Sequence, residues 1–286
     1  MARPKRPYDD PITDTATSSA TTVPGAPSPF PTLPNWRDLG YWPAADGKIV
    51  RPGKLYRTTE FEKTSEADLK AVGDLGLATI VDLRTVPERG ACPDPVFDDV
   101  GPLWLNILED APHTAGANPM KYATDPSAVK ELTPTVAQEM MIGTYQQLIN
   151  SDSALRYYGE FYTLLLAGDL TPTAFHCTTG KDRTGWTAAS FLSLMGVATD
   201  DVYKDYLLTN SRLLPALAPL VAQFEKQGVD AGALNSLLGV EKVYLDTAFD
   251  LVAKGWGTLE NYFAEGLGID ADGQAELRAR YLVDPS

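Results

Sequence analysis

Residues 176 to 185 read His-Cys-Thr-Thr-Gly-Lys-Asp-Arg-Thr-Gly. A cysteine, five residues, then arginine and a hydroxyl residue is the spacing that cysteine-dependent phosphate-ester hydrolysis requires. A thiol supplies the nucleophile, a guanidinium fork holds two phosphoryl oxygens, and a hydroxyl can donate to the sulfur. Cys177, Arg183 and Thr184 fill those places. Gly180 and Gly185 let the backbone curl, so that the amides of Thr178, Thr179, Gly180 and Lys181 can line an anion nest. A buried cysteine is more often a small core hydrophobe. Here the histidine, two glycines, arginine and threonine fall together, which composition alone rarely produces.

The flanking elements suit the loop. Thr173-Ala174-Phe175-His176-Cys177 reads as a short buried strand, and Arg183 to Met195 as a nearly all-apolar helix closed by Gly196. The loop therefore stands at a helix N-terminus, where unpaired amides and the helix dipole favour anions and a thiolate. A cysteine at such a site ionises at about 3.5 to 7.5 rather than near 8.5. His176, one of two histidines, is expected to order the loop by hydrogen bonding.

Transfer to Cys177 also needs an acid for the leaving oxygen, a contribution of about 10²- to 10⁴-fold. Asp182 lies inside the loop, and Asp110 opens a Pro- and Gly-containing segment after an expected strand from Leu103 to Leu108. Each has a plain structural alternative. Asp182 can pair with Lys181, and Asp110 can be a solvated loop carboxylate. Asp82 and Arg84 are expected to brace the fold, with a strand-end pair facing the site as the alternative.

Other signatures fail. Asp270-Ala271-Asp272-Gly273 is too short for a calcium loop, Gly255-Trp256-Gly257 lacks the third glycine of a dinucleotide loop, and His113 has no ligand partners at metal spacing. No cofactor and no metal are expected.

Around the loop, the chain reads as a tail and one domain. Met1 to Pro34 is rich in Pro, Thr, Ser and Ala and is expected to be a disordered or extended tail. It has no apolar h-region, so localisation stays open between cytoplasm and secretion after removal of a leader. From 35 to 286, Asn35 to Arg57 suggests turns and short strands, and Ser65 with Asp68 starts a helix ending near Gly73. Leu77 to Leu83 reads as a strand; Pro134 to Ile149 and Ser153 to Leu166 read as helices. Ser211 to Leu238, with Pro215 and Pro219, suggests two or three short helices. Strands alternating with helices predict an α/β fold, a central sheet flanked by helices.

At 286 residues and 44% hydrophobic content the chain can bury one large core. No apolar run is long enough to span a membrane. Two cysteines are too few for a disulfide framework, and a net charge of -14 argues against nucleic acid as a partner. An anionic substrate must be drawn by the local field of the loop.

The loop resembles that of the atypical bacterial protein tyrosine phosphatases typified by the mycobacterial enzyme. Asn35-Trp36-Arg37-Asp38, Arg51-Pro52-Gly53-Lys54-Leu55-Tyr56-Arg57 and Asp82-Leu83-Arg84 resemble the family's N-terminal segments. Asp205-Tyr206-Leu207 and Tyr244 to Phe249 resemble its C-terminal ones, so the likeness runs from about Asn35 to Leu282. It implies a metal-independent cysteine phosphatase acting on phosphotyrosine, with phosphoserine, phosphothreonine and phosphoinositides as further substrates, and inorganic phosphate or another oxyanion as a loop occupant.

The resemblance carries Asp182 as the acid but gives no match for Asp110. It also implies that 211–238 forms a helical lid, against an ordinary surface pair. Lys181 matches a lysine of tensin-homologue lipid phosphatases; their second lysine is replaced by Thr178. An inositol polyphosphate hydrolase, a catalytically silent phosphate-binding module and a thiol-based arsenate reductase are the competing readings.

Overall fold

The computed structural model describes residues 23–115, 132–168 and 171–285. Its main sheet has five strands in the order β1 (Arg37–Asp38), β3 (Leu55–Thr58), β6 (Thr173–His176), β4 (Thr79–Asp82) and β5 (Gly101–Trp104). All neighbours are parallel except β1, which runs antiparallel to β3 at the edge. A separate pair joins β2 (Ile49–Val50) to β7 (Leu282–Val283).

Strand β6 is central and buried at every residue, as expected of a parallel strand covered on both faces. Its side chains alternate. Ala174 and its neighbour Ile80 face a smaller core with Phe30, Leu33, Trp36 and Phe61, whereas Phe175 and Val81 face the main helical core. The register puts His176 between Thr58 and Asp82 at the carboxyl ends of three parallel strands. Ligands of open α/β sheets bind at that end.

Helices cover the sheet: α1 (Glu66–Gly73), α2 (Val86–Ala91), α3 (Pro134–Asn150), α4 (Asp152–Ala167), α5 (Arg183–Leu194), α6 (Thr199–Lys226), α7 (Ala231–Leu238), α8 (Lys242–Trp256) and α9 (Ala271–Tyr281). Helix α5 is buried at all but one position, so its apolar sequence marks a core helix rather than an amphipathic one. Local signals set several starts. The Ser65 side chain accepts from Asp68 N, and Thr85 with Glu88 forms a capping box. Asp270 caps α9, which explains the acidic run there. Among the described residues no helix is long and apolar enough to cross a membrane.

Two expectations are corrected. The strand expected over Leu103 to Leu108 is Gly101–Trp104, and Leu105, Ile107 and Leu108 are buried in the irregular segment and turn beyond it. An apolar run reports burial and cannot by itself distinguish strand from packed turn.

Ser211 to Leu238 is not a set of two or three short helices. Helix α6 runs unbroken through Pro215 and Pro219, and only α7 is separate. The two prolines lie four residues apart on the exposed side, where water can satisfy the carbonyls they leave unbonded. Leu234, Leu237 and Leu238 of α7 enter the main core.

Of the segment expected as a disordered or extended tail, residues 23–34 lie against the domain. Phe30 and Leu33 are buried, and Thr32 bonds Asp68. Residues 1–22 lie outside the described residues.

Candidate active site

Strand β6 delivers Cys177, which is 1% exposed, and six residues later α5 begins at Arg183. Between them Gly180 has φ +66, and a Cβ there would lie 2.2 Å from the Thr58 carbonyl oxygen. Only glycine fits this position.

The loop's carbonyls point outward. Glu60 N donates to Thr178 O at 3.1 Å, and Asn35 Nδ2 donates to Thr179 O at 3.4 Å and to Gly180 O at 3.0 Å. Arg57 Nη2 also donates to Gly180 O at 2.9 Å. Because a trans peptide opposes its C=O and N–H, the amides of Thr179, Gly180 and Lys181 face the other way. Among the described residues, none of the amides from Thr178 to Asp182 donates within the protein. The result is a row of inward amides at the N-terminus of α5.

Arg183 is 2% exposed and grips Glu88 with both Nη groups, at 2.7 and 2.6 Å, while Nη1 also reaches Leu83 O at 3.2 Å. Burial works against its charge, but Glu88, Cys177 and Asp182 outweigh it, so the guanidinium's pKa lies above its ordinary value. Glu88 also accepts the Thr178 hydroxyl at 2.5 Å and the Thr85 amide at 2.8 Å. Burial pushes its carboxyl up, but these partners hold it below the usual glutamate range. Glu88 thus ties α2 to both ends of the loop.

Lys181 and Asp182 are both buried and pair at 2.9 Å. Asp182 stands at the N-cap of α5 without capping it; its Oδ1 accepts from Lys181 at 3.0 Å and from Tyr145 at 3.3 Å. The Tyr145 hydroxyl lies 2.6 Å from that of Tyr206, and burial and their acidic surroundings keep both phenols neutral. Asp110 is elsewhere. Exposed, it accepts from Ser153 N at 2.7 Å and so anchors the start of α4.

His176 Nδ1 lies 3.0 Å from Cys177 O and Nε2 lies 3.1 Å from Asp94, so the ring ties the strand end to the Asp94 loop. Arg84 joins Asp82, Glu60 and Asp94 at 2.8 to 2.9 Å, and Asp82 also meets Arg89. Asp82, Asp94 and His176 bring potential metal ligands within 4.8 Å of one another. The guanidinium of Arg84 already supplies the cation between those carboxylates. Thr184 is buried with no hydrogen-bond partner for its hydroxyl, so the expected bond to the Cys177 sulfur is not made here.

Behind the loop lies a group to which the sequence assigned no role. Asp205 of α6 binds Arg37 Nε at 2.7 Å and Arg57 Nη1 at 2.6 Å, with all three side chains buried. Glu88 is a second such residue, and its local sequence signal is the capping pattern Thr85-x-x-Glu88.

The model of the family described as "Tyrosine phosphatase family" matches residues 28–283. A Cupriavidus necator protein whose name marks it as a candidate tyrosine-protein phosphatase is 32% identical, with 89% of this chain and 88% of the relative covered. The triple specificity protein phosphatase PtpB of Mycobacterium tuberculosis is 29% identical over 81% of this chain and 90% of its own. With the loop and its flanking strand and helix in place, these matches settle the membership: the chain belongs to the tyrosine phosphatase family.

Proposed function

We propose that the protein hydrolyses phosphate monoesters through a phosphocysteine intermediate, with phosphotyrosine as the preferred substrate. The carrying observation is the loop itself, in which Cys177, a row of inward amides and Arg183 converge at the N-terminus of a buried helix.

Three phosphoryl oxygens meet the amides of Thr178 to Arg183 and the guanidinium. The Cys177 sulfur attacks phosphorus, the P–O bond to the tyrosyl oxygen breaks, and that oxygen takes a proton. Water then attacks phosphorus, the S–P bond breaks, and phosphate and the thiolate are released. Arg183 and the helix dipole oppose charge on the transferring group throughout. Thr184 has a hydroxyl free to turn toward the sulfur as it leaves.

Asp182 is the better candidate for the acid. It lies beside the loop, whereas Asp110 is committed to the start of α4. Two donors face Asp182 in this structure, so it must part from Lys181 before it donates. The name of the Mycobacterium tuberculosis relative supports broad specificity. Pairing of Lys181 with Asp182 favours a monoester over a polyphosphate, because that cation is already engaged.

Purified protein should be assayed side by side on phosphotyrosine, phosphoserine and phosphothreonine peptides, phosphoinositides and inositol phosphates. Cys177→Ser should abolish turnover and leave oxyanion binding. Substantial activity in that variant rejects the mechanism, and faster inositol phosphate hydrolysis by the native protein rejects the substrate assignment.

A further inference from the structure

We propose that Arg57 and Asp205 are positioning residues for catalysis: the buried Arg37–Asp205–Arg57 cluster locks the Gly180 peptide so that the Lys181 amide faces the bound phosphoryl group. The inference rests on the phosphate-loop reading above and adds to it the device that holds the loop in its anion-binding form.

The geometry is a relay of fixed forks. Arg57 spends Nη1 on Asp205 at 2.6 Å and Nη2 on the Gly180 carbonyl at 2.9 Å. Arg37 holds Asp205 through Nε at 2.7 Å and the Asp205 backbone carbonyl through Nη2 at 2.9 Å. Its Nη1 fixes Asn35 at Oδ1 (2.8 Å), and Asn35 Nδ2 returns to Gly180 O at 3.0 Å. Two donors, both held by the cluster, therefore converge on one carbonyl oxygen. A flexible glycine peptide with φ +66 can rotate unless it is held, and rotation would turn a carbonyl toward the phosphate and an amide away from it.

The cluster also spans the fold: β1, β3 and α6 meet at Asp205, so the first turns of the long helix are coupled to the loop.

The test compares Arg57→Lys, Asp205→Asn and a core control, Val252→Ala, for orthovanadate affinity, kcat, KM and thermal midpoint. Val252 is buried in α8 and belongs to neither the loop nor the cluster. Lysine keeps the charge of Arg57 but cannot reach two acceptors as a planar fork does. Arg57→Lys and Asp205→Asn should each weaken orthovanadate binding by about 10- to 100-fold, the worth of a charge-assisted hydrogen bond, with kcat falling as well. Val252→Ala should lower the midpoint and leave orthovanadate affinity within about twofold of native.

If folded Arg57→Lys and Asp205→Asn also bind orthovanadate within about twofold of native, the cluster is structural only and the proposal fails. If the native protein neither binds orthovanadate nor turns over an aryl phosphate, the phosphatase reading fails instead.

Discussion

Glu88 and Arg183 meet edge to edge, each carboxylate oxygen facing one Nη group at 2.6 to 2.7 Å. The pair aligns the guanidinium before any substrate arrives, and Glu88 is itself fixed by its capping box on α2. Glu88→Ala should leave a buried arginine without its counter-charge and cost about 3–5 kcal/mol of stability. Glu88→Gln keeps shape and some hydrogen bonding, so it should fold and lose catalytic efficiency. Thermal unfolding and kcat/KM on an aryl phosphate separate the two effects; native stability in Glu88→Ala contradicts the first.

Gly180→Ala should be the most damaging small change in the loop. Its Cβ would meet backbone, the Thr58 carbonyl oxygen at 2.2 Å, in a conformation with φ +66. Strain of about 1–3 kcal/mol and a displaced loop are expected. Gly185→Ala is the comparison: its Cβ would lie 3.0 Å from the Tyr206 ring, a contact that a side chain can relieve. Orthovanadate affinity should collapse in the first variant and fall less in the second.

Asp182→Asn and Asp110→Asn distinguish the candidate acids. The acid matters chiefly for poor leaving groups, so Asp182→Asn should slow phosphotyrosine turnover by about 10²- to 10⁴-fold and spare an activated aryl phosphate. Asp110→Asn should mainly weaken the anchor to Ser153. An unchanged rate on the poor leaving group removes Asp182 from the mechanism.

Stability should peak in mildly acidic solution. Burial raises Asp38 to about 6 despite hydrogen bonds from Gly40 and Gly53, so its contribution is full below the ordinary aspartate value and is lost as pH rises through about 6. Glu88 and Asp205 behave oppositely. Burial pushes both up, but their arginine partners win and hold both below their ordinary values. Their contributions are present above the ordinary carboxylate range and vanish as pH falls through the depressed pKa. Thermal midpoints measured from pH 3 to 8 should therefore be highest at about 4 to 5; a midpoint rising steadily to pH 8 would contradict the assignment of Asp38.

The sequence by itself determined the loop, its flanking strand and helix, and the α/β class. Those features are local: Cys177, Gly180 and Arg183 stand within one turn of chain, and the capping and apolar patterns of α1, α3, α4 and α5 are written over short windows. Apolar content alone does not fix the element type. Leu105 to Leu108 lie buried beyond the strand end, and the prolines of α6 lie within one helix because their exposed side lets water replace the missing bonds.

Only the tertiary structure decided which charges meet. Glu88 reaches Arg183 across 95 positions, and Asp205 gathers Arg37 and Arg57 from 168 and 148 positions away. No local pattern encodes such pairings. They follow from a parallel sheet that brings the ends of β3, β6 and β4 side by side, where burial makes an opposite charge the favoured partner of each carboxylate and guanidinium.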